Sequence, residues 1–301
     1  MSGDETHLTL AHSPDPDDAF MWWPLVGLED APPVIDTGRF SFSLVTEDIE
    51  QLNGRAEERC FDITAISIAQ YPRVASLYDL TACGASVGEG YGPKLVARDT
   101  STPEVLLQDN PLIAVPGERT TALATLRLLA ADRPLQWRAM PFDRIMDAVR
   151  SGEVQAGVVI HEGQLTFENE GLTLVADLGN WWMGETGLPL PLGGNAIARD
   201  LDARHGAGTA GEVTGLLVRS IKHAMDHRDE SLRWAATWGR GLDMDSTDRF
   251  VEMYVNHWTL DFGARGREAV AEFLSRCAAQ GILPEVHAPV FVSEGRTRPT
   301  V

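Results

Sequence analysis

The apolar residues of this chain fall into short runs that alternate with stretches at helical spacing. Leu8 to Ala11 reads as a short buried strand. A Pro-rich turn, His12-Ser13-Pro14-Asp15-Pro16-Asp17-Asp18-Ala19-Phe20, follows and leads into the apolar helical run Phe20 to Val26. Strands are predicted over Ser41–Val45, Phe61–Ile68, Leu80–Ala85 and Lys94–Ala97, with a helix opening at Thr46-Glu47-Asp48 and running to about Arg59. Next come strands at Leu112–Val115, Ala156–Ile160 and Leu172–Leu178, and helices at Ala122–Ala131 and Asp143–Ser151. Past Asp200 the pattern is helical: Val213–His227, Ser231–Arg240, Thr247–Trp258 and Glu268–Gln280. The tail Val286–Val301 reads as loose or surface-lying. Alternation of this kind predicts an α/β fold with mostly parallel sheets.

One internal echo bears on organisation. Leu95-Val96-Ala97-Arg98-Asp99 and Ala196-Ile197-Ala198-Arg199-Asp200 are nearly the same segment, one hundred residues apart. They read as crossover strands, one leaving a first domain and one returning to it. The division expected is a larger, discontinuous lobe of residues 1–98 and 195–301, an inserted lobe of residues 99–194, and a ligand cleft between them.

Composition narrows the function. The chain has 301 residues, 44% of them hydrophobic and 23% charged, enough to build sizeable cores. A formal net charge of −19 argues against sequence-independent nucleic-acid binding and against anionic membranes, while leaving room for a small ligand held by local donors. Cys60, Cys83 and Cys277 are few, odd in number and far apart, so reduced core thiols are expected. The acidic segment Met1–His7 lacks the basic and apolar regions of a leader, and no stretch is long enough to span a bilayer. A cytoplasmic protein without membrane insertion is expected.

Chemistry concentrates at strand ends, where open α/β sheets handle ligands. In Gly152–Gly163 a helical run stops at Gly152, an apolar strand ends at Ile160, and His161-Glu162 stand where it runs out. An imidazole there suits a general base, with a structural histidine as the other reading. Pro116-Gly117-Glu118-Arg119-Thr120-Thr121 joins a strand to a helix. Its first N–H groups and two hydroxyls form an anion or carboxylate site, although N-capping alone would explain one threonine. Asp15, Asp17 and Asp18 either complement a helix N-terminus or, for Asp18, contact a ligand. Trp181 to Asn195 reads as an irregular segment whose tryptophans wall a flat ligand or pack a hinge, and whose Gly193-Gly194 lets backbone approach closely. His223 and His227 share a helix face without a third ligand, and Asp243–Asp248 lacks the central glycine of a calcium loop, so no metal is expected.

Four motifs in order carry a family resemblance: Ser13-Pro14-x-Pro16-x-Asp18-x-Phe20, Pro116-Gly117-x-x-Thr120-Thr121-Ala122, Gly157-x-x-Ile160-His161-Glu162, and Asp177-Leu178-Gly179-x-Trp181-Trp182…Thr186-Gly187-Leu188-Pro189-x-Pro191-Leu192-Gly193-Gly194. Over about residues 8–200 the chain resembles the 1,4-dihydroxy-6-naphthoate synthases of the futalosine route to menaquinone. The resemblance implies the two-lobed fold of type 2 periplasmic binding proteins with two crossovers. It also implies a cofactor-free lyase that converts cyclic dehypoxanthinylfutalosine to 1,4-dihydroxy-6-naphthoate and dihydroxyacetone. His161 matches the family's proposed general base. Ser13, Asp18, Ser67, Thr120, Thr121, Ile160, Gly194 and Asn195 fall at or near positions lining its cleft. The partner expected is a small-molecule substrate, with a homodimer left open. The family's turn commonly reads Ser-Pro-Cys-Pro-Asn-Asp-Thr-Phe, whereas this chain has Asp15, Asp17 and Ala19. The extra carboxylates would repel an anionic substrate unless they point away or bind its hydroxyls. An isomeric naphthoate, a non-catalytic solute-binding protein and a ligand-sensing regulatory domain are the competing expectations.

Overall fold

The computed structural model describes residues 5–27, 32–239 and 241–295. Residues 1–4, Arg240 at the expected end of one helix, and residues 296–301 of the tail lie outside the described part. The strands are β1 (Thr6–His12), β2 (Phe40–Thr46), β3 (Ile63–Ser67), β4 (Tyr78–Thr81), β5 (Ser86–Gly88), β6 (Lys94–Ala97), β7 (Leu112–Val115), β8 (Gln136–Ala139), β9 (Ala156–Val159), β10 (Thr173–Asp177), β11 (Leu190–Ala198) and β12 (Phe291–Val292).

They form two sheets. A seven-stranded sheet has the order β12-β4-β11-β3-β1-β2, with β5 also paired to β11; a five-stranded sheet has the order β10-β6-β9-β7-β8. The inner strands of the five-stranded sheet, β6, β7 and β9, are buried on both faces, with side chains that alternate along each strand. Leu95, Ile113, Val115 and Val158 pack with Leu123 and Leu126 of the helix Thr121–Ala130. Val96, Ala114 and Val159 pack on the other face with Ile145 and Val149 of the helix Ile145–Ser151. The larger sheet packs Leu8, Leu10, Ile63, Ile66 and Leu80 into the core that also takes Phe20, Trp22 and the C-terminal helices.

The sheets are mixed rather than mostly parallel. Among the described residues every antiparallel pairing involves β6 or β11, and β1, β2, β3, β4, β7, β8, β9 and β12 pair in parallel among themselves. These two strands carry the repeated Ala-Arg-Asp segments. The chain enters each sheet from the other through them, and so runs against its neighbours.

The two passages between the sheets lie side by side. Lys94 Nζ donates to Asp177 Oδ2 at 2.6 Å, and Leu178 N–H donates to the Pro93 carbonyl at 2.9 Å. Gly179 sits so close that a Cβ there would lie 1.8 Å from the Tyr91 carbonyl oxygen.

Three further expectations need correcting. Trp181 to Asn195 is not irregular. Asp177 caps a helix Leu178–Thr186 by accepting from Gly179 and Asn180 N–H at 3.0 Å, Gly187 ends it in a left-handed turn, and β11 follows. The expected strand Leu80–Ala85 is broken after Thr81, because Gly84 takes a left-handed conformation with its hydrogen side against Asn195. The tail is not wholly loose: Phe291–Val292 adds a parallel strand to β4, and Val292 is buried.

Cys83 and Cys277 are buried free thiols pushed up to about 12 by desolvation, inert at neutral pH. No helix among the described residues is long and apolar enough to cross a membrane.

Candidate active site

Four parallel strands aim their carboxyl ends at one cavity. β1 runs out at His12 into Ser13 and Asp15, and its neighbour β3 ends at Ser67. In the other sheet β7 runs out into the turn before Thr120, and its neighbour β9 into His161. β11 runs antiparallel beside β3, bringing Gly193 opposite Ser67 and Asn195 opposite Ala65. The cavity is partly open to solvent and is lined by residues that follow strands of both sheets, the setting in which small-molecule sites form. All nine residues expected at the site line it: Ser13, Asp18, Ser67, Thr120, Thr121, Ile160, His161, Gly194 and Asn195.

His161 is held from several directions. Its backbone is left-handed, φ 51°, which costs a β-carbon-bearing residue about 1–3 kcal/mol and persists only where the surroundings fix it. The His161 carbonyl accepts from Gln164 N–H at 3.1 Å, which starts the short helix Gly163–Thr166. The Phe142 ring meets the imidazole edge-on at 4.7 Å. Nδ1 lies 3.1 Å from Oδ2 of Asp15, a carboxylate only 2% exposed. The two residues come from different sheets. Asp15 therefore faces the imidazole, an attractive partner, where repulsion of substrate was the concern raised by the sequence.

The other polar side chains divide by what their hydrogen bonds leave free. Ser67 is clamped by Asn53, whose Oδ1 accepts from Ser67 N–H at 2.9 Å and whose Nδ2 donates to Ser67 Oγ at 3.0 Å. Oγ is thus an acceptor in that pair, and its own proton is available to a ligand. Thr120 caps the helix Thr121–Ala130: Oγ1 donates to the Gly117 carbonyl at 2.9 Å and accepts from Leu123 N–H at 3.3 Å. Thr121 Oγ1 donates to the Leu192 carbonyl at 2.7 Å and accepts from Ala69 N–H at 3.2 Å. Both threonine hydroxyl protons are committed to backbone, so the donors this turn offers the cavity are first-turn N–H groups, which have no partner within the helix.

Asp18 is also committed within its turn. Oδ2 accepts from Ser13 Oγ at 2.7 Å and Ser13 N–H at 3.2 Å, and Oδ1 accepts from Trp22 Nε1 at 3.2 Å. Burial raises its carboxyl above the usual range, against the lowering influence of nearby His12. Asp17 lines the cavity and is half-buried. Desolvation, then the neighbouring Asp18 and Asp15, hold its carboxyl well above the ordinary range.

Sequence reasoning missed Gln164, Phe250 and Tyr254. All three are buried and line the cavity. Gln164 Nε2 donates to the Tyr254 hydroxyl, while its buried Oε1 has no hydrogen-bond partner. Desolvation, with Tyr91 and Asp17 nearby, keeps the Tyr254 hydroxyl well above its usual value, so it remains a donor at neutral pH. Two aromatics four residues apart on the helix Met244–Tyr254 look like ordinary core in sequence, and nothing local distinguishes them. The tryptophans resolve the other way. Neither Trp181 nor Trp182 lines the cavity. Trp182 is fully buried, with Nε1 donating to the Pro189 carbonyl at 3.1 Å and its ring against Phe273.

Comparison with known proteins converges on one family. The model of a family described as "Menaquinone biosynthesis" matches residues 8–279. A 1,4-dihydroxy-6-naphthoate synthase of Thermus thermophilus is 36% identical, the match covering 95% of this chain and 99% of that protein. Another from Streptomyces coelicolor is 34% identical over 92% of this chain and 95% of that protein. Among solved structures, a protein from Archaeoglobus fulgidus superposes with a TM-score of 0.83 at 38% identity, covering 92% of this chain and 98% of that one. The alkanesulfonate-binding protein of Xanthomonas axonopodis pv. citri shares the fold at 14% identity, with a TM-score of 0.66 over 94% and 96% of the two chains. The architecture is thus that of the periplasmic binding proteins, and the chain belongs to the 1,4-dihydroxy-6-naphthoate synthase family of menaquinone biosynthesis.

Proposed function

We propose that the protein is a carbon–carbon lyase that converts cyclic dehypoxanthinylfutalosine to 1,4-dihydroxy-6-naphthoate and dihydroxyacetone, with His161 as general base. The observation that carries this reading is the placement of His161: a strained, left-handed residue at a strand end, facing the cavity and engaged at Nδ1. Strain of this kind collects at functional positions. In the proposed reaction an imidazole nitrogen takes an acidic C–H proton next to a ketone, a C–C bond breaks, and aromatisation of the bicyclic product drives the step. A positioned base contributes about 10²–10⁴-fold.

The remaining groups take supporting roles. The N–H groups at the start of the helix Thr121–Ala130 hold an anionic or carbonyl oxygen. The free protons of Ser67 and Tyr254 reach acceptors on the ligand. Asp18 keeps Ser13 and the β1 turn in place. Residues 99–194 act as the inserted lobe that closes over the ligand, excluding water and orienting the scissile bond.

The test is to mix purified protein with the spirocyclic substrate and follow naphthoate absorbance. Product formation that is abolished in His161→Ala, with substrate-induced thermal stabilisation retained, is the expected result. Thermal stabilisation by the substrate with no product from the unaltered protein would instead identify a binding protein. Normal turnover by His161→Ala would remove the base assignment.

A further inference from the structure

We propose that Asp15 is a positioning residue for His161, holding the imidazole so that Nδ1 carries the proton and Nε2 presents its lone pair to the ligand. This rests on the reading of His161 as base, and adds a residue at which the chain departs from the family's common turn.

Three observations support it independently. The first is the contact itself, 3.1 Å between Asp15 Oδ2 and His161 Nδ1, with the carboxylate 2% and the imidazole 17% exposed. An ionised carboxylate accepts hydrogen bonds and donates none, so the tautomer that suits this contact carries its hydrogen on Nδ1. The second is what Asp15 does not do. It occupies the N-cap position of the helix Pro16–Val26, where an aspartate ordinarily accepts from the helix's own N–H groups, yet its side chain makes no such cap. The local role is forgone for one across the cleft. The third is the left-handed backbone of His161, which together with the Phe142 ring sets the direction of the imidazole before any ligand arrives.

The chemistry follows from the tautomer. A neutral imidazole has one lone pair. If it lay on Nδ1 it would point at a carboxylate, where it can remove nothing. With the proton on Nδ1 the basic nitrogen is Nε2, and the imidazolium formed after proton removal keeps its partner. Asp15 acts through the imidazole, so its loss is expected to lower kcat while leaving KM nearly unchanged.

Two measurements test this. Nitrogen-15 spectra of the unaltered protein labelled at histidine should show neutral His161, assigned by comparison with His161→Gln, as the Nδ1–H tautomer. In steady-state assays with the spirocyclic substrate, Asp15→Asn should lose at least about tenfold in kcat with KM within about twofold, and Asp15→Glu should recover part of the loss. An Nε2–H tautomer in the unaltered protein overturns the proposal whether or not any variant folds. So does Asp15→Asn with undiminished kcat when His161→Ala is inactive. Should His161→Ala itself turn over normally, the base assignment fails, an outcome separate from either result at Asp15.

Discussion

Arg119 grips Glu50 from two directions: its backbone N–H donates to Oε2 at 3.0 Å and its Nη1 donates to Oε1 at 3.1 Å. Its Nε also donates to Glu57 at 2.9 Å. Arg119 stands in the turn after β7, whereas Glu50 and Glu57 lie on the helix Ile49–Glu57 beside the larger sheet. The approach is so close that a Cβ on Gly117 would lie 2.3 Å from Glu50 Oε2, so the glycine leaves room for this carboxylate in its present position. The two sheets are therefore clasped at the rim of the cavity by one arginine.

Arg119→Ala is expected to change stability little, because these side chains are partly exposed and such pairs contribute up to about 1 kcal/mol. The effect should fall on closure instead. KM for the spirocyclic substrate should rise several-fold, and small-angle scattering of the unliganded variant should show a larger radius of gyration. An unchanged KM would mean that the clasp does not govern closure.

Asp17 gives a pH-dependent prediction. An unfolded aspartate ionises near 3.8, while the folded chain keeps the Asp17 proton to higher pH. The unfolded state therefore releases a proton that the folded state retains, and this group lowers stability as pH rises above 3.8 until Asp17 itself ionises. Asp17→Asn removes the penalty. The variant should gain Tm over the parent at pH 8, and gain less at pH 5. An equal gain at both would show that Asp17 ionises normally.

Gly179→Ala should be costly. Its Cβ would meet the backbone oxygen of Tyr91 at 1.8 Å and Gly92 N at 2.6 Å, and backbone cannot swing aside as a side chain does. A loss of about 3 kcal/mol in urea unfolding is expected. Gly184→Ala on the same helix has nothing within 4 Å and serves as the control, neutral or stabilising by up to about 1 kcal/mol.

Charge predicts a salt response. The chain carries 44 acidic against 25 basic side chains, and only Lys94 and Lys222 of the latter are lysines. Self-repulsion at net −19 opposes the compact state. Raising KCl from about 0.1 M to about 1 M shortens the screening length from about 10 Å to about 3 Å, and Tm should rise with it. A flat or falling Tm over that range would show that the excess charge is already neutralised within the fold.

What could be seen in advance depended on whether the signal was local. β1, β7 and β9 are apolar runs ending at turn residues, and the polar residues just past them are the ones that reach the cavity. β8 has no such pattern, since Gln136 to Ala139 are exposed at a sheet edge. The helix Leu178–Thr186 is carried by its Asp177 cap and Gly187 stop rather than by an amphipathic stripe, and a Trp-Trp-Met-Gly run hides it. The role of Asp15 was least legible. Beside Asp17 and Asp18 it reads as surplus negative charge, and only the juxtaposition of two sheets supplies the imidazole that gives it a partner. Gln164 and Tyr254 depend in the same way on elements that meet only in three dimensions.

The strand order has a consequence for how the protein is made. All five strands of the smaller sheet lie between Lys94 and Asp177, so that sheet has its full complement before the chain is two-thirds synthesised. The larger sheet waits. β11 sits between β3 and β4, and until it emerges those early strands face one another across a gap, with unpaired edges open to any passing strand. On the ribosome, the half of the molecule begun first is therefore the half completed last.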